Sequence, residues 1–166
     1  AGEPELVKAY GFAHRALQVP NTADTRIAIA SGSKAFTALA VLSLVEEGVL
    51  ALDTPVRGIL NSDLPLIDDA VTIEHLLTHH SGIGDYIDES SDLEVTDYVM
   101  PAPVHTLDTT EGFVPVLDGF EQAFAPGERV AYCNSGYMVL ALIAERASGT
   151  PFHDLVQTRV FDKAGM

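Results

Sequence analysis

Ile27-Ala-Ile-Ala-Ser31-Gly-Ser-Lys34-Ala-Phe-Thr-Ala-Leu-Ala-Val-Leu-Ser-Leu-Val-Glu-Glu-Gly48 contains one of the two longest apolar runs in the chain, Ala38–Val45, broken only by Ser43. A short apolar lead enters Ser31, helix formers continue to Glu47, and Gly48 supplies a C-terminal stop. The pattern predicts a helix over about residues 32–47. Phe36, Leu39, Ala40, Val41, Leu42, Leu44 and Val45 cover nearly every side of it, which predicts a helix inside the protein. Ser31 and Lys34 then stand at its N-terminal end, where free N–H groups and the helix dipole favour negative charge.

The spacing of that pair carries chemical information. Positions i and i+3 share a helix face, with Cβ atoms about 5–6 Å apart. A serine hydroxyl is a weak nucleophile until a base takes its proton. A lysine serves as that base only where burial or positive neighbours lower its pKa from about 10.4, and a drop of about three units costs about 4 kcal/mol. On this pair alone, a helix cap and a surface lysine are the better explanation of Ser31 and Lys34, because S-x-x-K recurs by chance.

Outward from this helix, residues 5–19 read as extended, with Tyr10 and Phe12 in an imperfect alternation, and Pro20–Asp24 as a turn. Thr72 is a helix N-cap for Ile73–Thr78, with Glu74 in the first turn. Residues 85–97 carry Asp85, Asp88, Glu89, Asp92, Glu94 and Asp97 and read as a solvated acidic surface, with a metal site as the less favoured alternative. Residues 116–124 read as a helix, Pro126-Gly127 as a turn, and Val130–Asn134 as extended. A second apolar helix is predicted from Gly136 to Ser148, closed by Gly149, and a last one from Phe152 to Phe161.

The chain has 166 residues, enough for one domain with a core. Its formal net charge of −15, from 24 acidic and 9 basic side chains, argues against nucleic acid and anionic membrane as partners. No apolar run approaches the ~20 residues of a membrane span. The first residues carry no basic and apolar leader, which leaves an extracytoplasmic and a cytoplasmic location both open for a soluble protein. One cysteine, Cys133, allows no intrachain disulfide and reads as a small buried side chain.

Tyr132-Cys-Asn134 precedes the second apolar helix. A tyrosine beside a lysine can share a proton with it, and an asparagine side chain offers an acceptor and two donors to an amide. Taken with Ser31 and Lys34, this arrangement resembles the serine β-lactamase and penicillin-binding protein superfamily. Within it, the chain is most similar to the class C β-lactamase family, which also holds D,D-peptidases and esterases. The family motif set has a S-x-x-K element and a second element that here takes the Tyr-x-Asn form. Tyr10-Gly-Phe-Ala, Thr25–Ala38, Leu52-Asp-Thr-Pro-Val56, Ile73–Gly82 and Val160–Met166 look like family segments in family order.

The resemblance implies an α/β (α+β) fold of β-lactamase/transpeptidase type: an antiparallel sheet with flanking helices plus a mostly helical subdomain. It implies a Ser31 nucleophile that forms an acyl-enzyme, Lys34 and Tyr132 sharing the proton transfer, and Asn134 holding the substrate's amide carbonyl. The backbone N–H of Ser31 would be one oxyanion donor. Substrates would be a β-lactam, a D-Ala-D-Ala peptide or a carboxylic ester, with no cofactor, no metal and a bacterial source.

The family's third motif, Lys-Thr-Gly or His-x-Gly, has no counterpart here, and family members are longer. Residues 1–166 are therefore expected to be the N-terminal portion of a single catalytic domain, with 1–56 as first strands and nucleophile helix and 57–166 as helical subdomain. The sheet is expected to be incomplete, and the chain alone to be a poor catalyst unless a second chain or fragment carries the missing half. Loss of one oxyanion donor alone costs about 10²–10³ in rate. Two other classes remain open: a non-catalytic module that binds cell-wall peptide or β-lactam, and a metal hydrolase using His75, His79 and His80.

Overall fold

A computed structural model describes residues 6–87 and 97–166. In chain order its elements are strands β1 (Phe12–His14) and β2 (Val19–Pro20), a 3₁₀ turn Ala30–Ser33, and helices α1 (Lys34–Glu46), α2 (Arg57–Leu60) and α3 (Ile73–Leu77). Short 3₁₀ turns at Val104–Thr106 and Glu111–Phe113 lead to α4 (Val114–Leu117), followed by α5 (Asn134–Ser148) and α6 (Phe152–Val156). One π turn, Gln157–Phe161, joins α6 to α7 (Asp162–Ala164).

The core forms where α1 and α5 pack on each other, with α3 and α2 against α5 and the α6–π segment against α1. Ala40, Val41 and Leu44 of α1 meet Val139, Leu140, Leu142 and Ile143 of α5 in one buried cluster that also takes in Ile73, Leu76 and Leu155. Gly48 and Gly149 end the two long helices in the left-handed region, at φ +72° and +65°, which only glycine adopts without strain. Thr72 caps α3 as the sequence predicts: its hydroxyl accepts the His75 N–H, and His75 Nδ1 accepts the Thr72 N–H in return.

Arginines hold the loops that hydrophobic burial leaves unpaired. Arg57 donates to the carbonyls of Asn61, Asp63, Leu64 and Ile67 and pairs with Asp69 at 3.0 Å, so one side chain fixes the polar loop 61–69. Those bonds hold Asn61 and Leu64 at positive φ, where a non-glycine residue is strained. Arg146 of α5 pairs with Asp63 at 2.6 Å and Glu111 at 2.8 Å, tying that loop and the turn before α4 to the central helix.

Several sequence expectations change. The predicted 32–47 helix is a 3₁₀ turn followed by α1. It is not buried on every side: Leu39 is 52% and Leu42 43% exposed, because the face away from α5 has nothing packed on it among the described residues. Extended residues 5–19 reduce to a two-strand antiparallel hairpin with its turn at 15–18, and Pro20 belongs to β2 rather than to a turn. The 116–124 helix is instead α4 at 114–117, started by Pro115 in its first turn and ended at Asp118, which is extended. Asp88, Glu89, Asp92 and Glu94 lie outside the described residues.

The hairpin and the segment leading to α1 leave Leu6, Val7, Tyr10, Phe12, Ile27 and Ile29 exposed. Leu39 and Leu42 of α1 are exposed as well. No helix among the described residues is long and apolar enough to cross a membrane.

Candidate active site

Ser31 stands in the 3₁₀ turn that immediately precedes α1, and Lys34 is the first residue of that helix. The turn puts both side chains on one side, and Lys34 Nζ donates to Ser31 Oγ at 3.1 Å. Ala30, directly before Ser31, has φ +45°. A non-glycine residue held there costs about 1–3 kcal/mol, strain of the kind found where a backbone is bent to present a side chain.

Tyr132 and Asn134 arrive from the other side, at the head of α5. Tyr132 Oη donates to Ser31 Oγ at 2.6 Å, and Lys34 Nζ donates to Asn134 Oδ1 at 2.9 Å. All four predicted site residues therefore meet in one hydrogen-bonded chain, Tyr132–Ser31–Lys34–Asn134, although a hundred residues separate its halves. Lys34 Nζ also lies 4.8 Å from the centre of the Tyr132 ring and 5.8 Å from that of Tyr137, within cation–π range. No ion pair among the described residues involves Lys34; its polar neighbours are hydroxyl and amide groups.

Ser31 Oγ thus lies between two groups that can each gain or lose a proton. A hydroxyl hydrogen rotates, so the 2.6 Å separation serves equally for Tyr132 donating to Ser31 and for Ser31 donating to an ionised Tyr132. The arrangement can take a proton from Ser31, hold it nearby and return it. Ser31 and Tyr132 are exposed, so an incoming carbonyl can reach the hydroxyl.

A cavity of about 770 Å³ opens beside this group, from Ser31 and Lys34 past Asn134 and Tyr86 to Phe152 and Phe161. Its volume falls within the range of small-molecule sites, about 300–1,000 Å³, and its walls are mainly apolar. Tyr86 and Ile87 also line it.

His79 is a site neighbour that the sequence reading treated as a metal candidate or a structural residue. Its ring lies 4.7 Å from that of Tyr132 and 5.2 Å from that of Tyr137, and its Nδ1 accepts the Cys133 N–H at 3.2 Å. Its carbonyl accepts the Ala131 N–H at 2.9 Å, so one histidine holds the Tyr132 loop by ring and by backbone. Its φ of +59° is what turns ring and carbonyl to the same loop. The signal available in sequence was only Leu76-Leu-Thr-His79-His80-Ser-Gly82 after a short capped helix. His75, His79 and His80 do not converge: their Nδ1 atoms engage Thr72, Cys133 and Thr78 respectively. Among the described residues no three His, Cys, Asp or Glu side chains come together as a metal site.

Burial, then the Lys34 charge, lower the His79 pKa below its ordinary value; Asp85 opposes this and His80 adds to it. The folded value is depressed, so the stability that neutral His79 contributes is complete above about pH 6.5 and is lost as pH falls through the folded value. Protonation also removes the acceptor for Cys133 N–H. An NMR titration of the His79 ring is expected to give a midpoint below 6.5, with Tm falling as pH drops from about 6.5 to that midpoint. A midpoint at or above 6.5 contradicts this arrangement.

Cys133 is buried, as expected, and burial with the nearby Asp85 charge pushes its thiol up to about 12. It caps α5, its Sγ accepting the Gly136 N–H. Asp85 is not part of an open acidic face either: its carboxylate accepts N–H groups at the start of α5.

The family model described as Beta-lactamase matches residues 1–166. The chain is 33% identical over 160 residues to penicillin-binding protein 4* of Bacillus subtilis (strain 168), an overlap of 95% of this chain and 33% of that protein. It is 36% identical over 174 residues to esterase EstB of Burkholderia gladioli, covering 99% of this chain and 43% of that one. A solved structure of a penicillin binding protein from Bacillus halodurans superposes with a TM-score of 0.83 at 42% identity, over 95% of this chain and 47% of the other. The chain spans between a third and just under half of the length of these relatives.

Proposed function

The chain belongs to the Beta-lactamase family, and on that premise we propose that Ser31 attacks an amide or ester carbonyl to form an acyl-serine. The carrying observation is the placement of Ser31 Oγ 2.6 Å from Tyr132 Oη and 3.1 Å from Lys34 Nζ. As Ser31 Oγ bonds to the carbonyl carbon, its proton passes to the Lys34–Tyr132 pair, which behaves as one coupled unit. The same pair returns a proton to the departing amine or alcohol. Water then attacks the ester carbonyl, giving its proton to the pair, and Ser31 recovers one as the acid leaves.

The charge that develops on the carbonyl oxygen meets the backbone N–H of Ser31 at the head of α1, where the helix dipole adds a favourable field. Asn134 holds the substrate's amide carbonyl through its side-chain N–H. Its Oδ1 is already committed to Lys34, which fixes the amide's orientation. The apolar cavity beside Ser31 suits the acyl portion of a β-lactam, a D-Ala-D-Ala peptide or a carboxylic ester. Similarity to a penicillin-binding protein and to an esterase supports that range.

Residues 1–166 read best as the N-terminal portion of one domain, with 1–56 contributing strands and the nucleophile and 57–166 the helical subdomain. Two facts support this: the relatives are at least twice as long, and apolar side chains of the hairpin and of α1 are exposed. Further polypeptide packed there would supply more sheet and the second oxyanion donor. A reading as a module that binds β-lactam without reacting is separated by one experiment. Mixing the protein with p-nitrophenyl butyrate is expected to release a burst of up to one equivalent of p-nitrophenol, followed by slower turnover. Reversible binding with no burst would replace the hydrolase reading with the binding one.

A further inference from the structure

The residue next to the site that the proton-transfer scheme leaves without a task is Asp85. Its Oδ2 accepts the Asn134 N–H at 2.6 Å, and its Oδ1 accepts the Ser135 N–H at 2.9 Å and the Ser135 hydroxyl at 3.1 Å. The same Oδ1 accepts the Ile87 N–H at 3.3 Å. One carboxylate therefore occupies the first two free N–H groups of α5 and ties them to the loop that lines the cavity.

This is more than an ordinary helix cap. The cap position of α5 is already filled by Cys133, whose sulfur takes the Gly136 N–H. A local Asp, Ser or Asn could have met the remaining N–H groups. Instead the acceptor comes from 49 residues earlier, and it grips the residue whose Oδ1 holds Lys34 Nζ at 2.9 Å.

The delivery of Asp85 is also built in. Gly82 and Gly84 lie so close to residues 120–124 that an added Cβ would sit 2.1 Å from the Phe124 carbonyl oxygen and 2.4 Å from Phe120 Cβ. Gly82 adds φ +69°, and its carbonyl accepts the Ala123 N–H at 2.7 Å. Only glycines let this segment lie against that wall, and the wall aims Asp85 at α5.

We propose that Asp85 is a positioning residue: by gripping the Asn134 and Ser135 amides it sets Asn134, and through Asn134 it sets the direction in which Lys34 addresses Ser31. The proposal rests on the reading of Ser31 as the nucleophile reached by Lys34. A misplacement of about 1 Å in such a group can cost about 10² in rate.

The test is a double-mutant cycle on the second-order rate at which an alkyl fluorophosphonate labels Ser31. Asp85→Asn keeps the shape but loses one acceptor and the charge, and is expected to slow labelling about 10- to 100-fold with the circular dichroism spectrum unchanged. In an Asn134→Ala background the same change is expected to cost less than about threefold, because the group it positions is gone. Equal losses in both backgrounds, or no loss in Asp85→Asn, overturn the proposal. A purely structural role for Asp85 predicts equal losses.

Wild-type protein that takes no label instead removes the nucleophile reading. The clamp is then read by NMR. Asp85→Asn is expected to move the side-chain NH₂ resonances of Asn134, and unmoved resonances overturn the proposal. Where Asp85→Asn fails to fold, Asp85→Glu is read in the same cycle and against the same two criteria.

Discussion

Lys34→Met is expected to lower the rate of Ser31 acylation by at least about 10³-fold while the fold survives. Lys34 does two things that a thioether cannot. It places an exchangeable proton 3.1 Å from Ser31 Oγ, and it holds Asn134 Oδ1 at 2.9 Å. Proton transfer by a positioned group is worth about 10²–10⁴ in rate, and the misorientation of Asn134 comes on top of it. Met matches the length of the lysine stem but loses the cation–π contacts with the rings of Tyr132 and Tyr137, about 0.5–1 kcal/mol, and the hydrogen bond to Asn134, about 1–3 kcal/mol. Lys34→Arg is not expected to rescue the rate, because a guanidinium does not give up its proton and its planar fork does not fit a site shaped for a point charge. Stopped-flow acylation of each variant checks this. A Lys34→Met protein within tenfold of wild type would remove Lys34 from the proton path.

The second large effect belongs to Tyr132. Tyr132→Phe deletes one oxygen and the 2.6 Å bond to Ser31, while the ring keeps its place 4.7 Å from His79. Acylation is expected to slow by about 10²–10⁴ with Tm changed by only a few degrees. A loss below tenfold would leave Lys34 as the sole base and reduce Tyr132 to packing.

The legible part of this site lay in side-chain chemistry repeated at fixed places. Ser31 and Lys34 are three apart at a helix start, and Tyr132 and Asn134 are two apart before another helix, so each pair follows from local geometry. Their meeting across a hundred residues does not follow from local rules; the resemblance supplied it and the packing of α1 on α5 shows how it happens. Gly48, Gly149 and Thr72 were readable because a left-handed stop or a capping hydroxyl has few substitutes.

Other features depended on partners that periodicity cannot register. An acidic residue in an acidic run reads as solvated surface, yet Asp85 is drawn inward by the N–H groups of α5. His79 looked like half of a metal pair because His75 is four residues earlier, but its positive φ turns it out of the helix and onto Tyr132. The all-round apolar character of α1 predicted burial, whereas Leu39 and Leu42 face outward. Periodicity records that a side chain is apolar, not whether anything packs on it: α5 covers the Ala40, Val41 and Leu44 face, and Leu39 and Leu42 lie on the other. The short α4 escaped the apolar pattern of 116–124, because Pro115 fixes its start and the turn at Asp118–Gly119 ends it.

The central claim is that Ser31 is the atom-level site of covalent chemistry, and intact mass followed by peptide mapping tests it directly. After exposure to an alkyl fluorophosphonate, and separately to penicillin, the protein is expected to gain one adduct per chain, on the peptide carrying Ser31. The adduct is expected to disappear in Ser31→Ala and to persist in Ser33→Ala. An adduct that survives Ser31→Ala, or one that maps to Ser33 or Tyr132, would contradict the account.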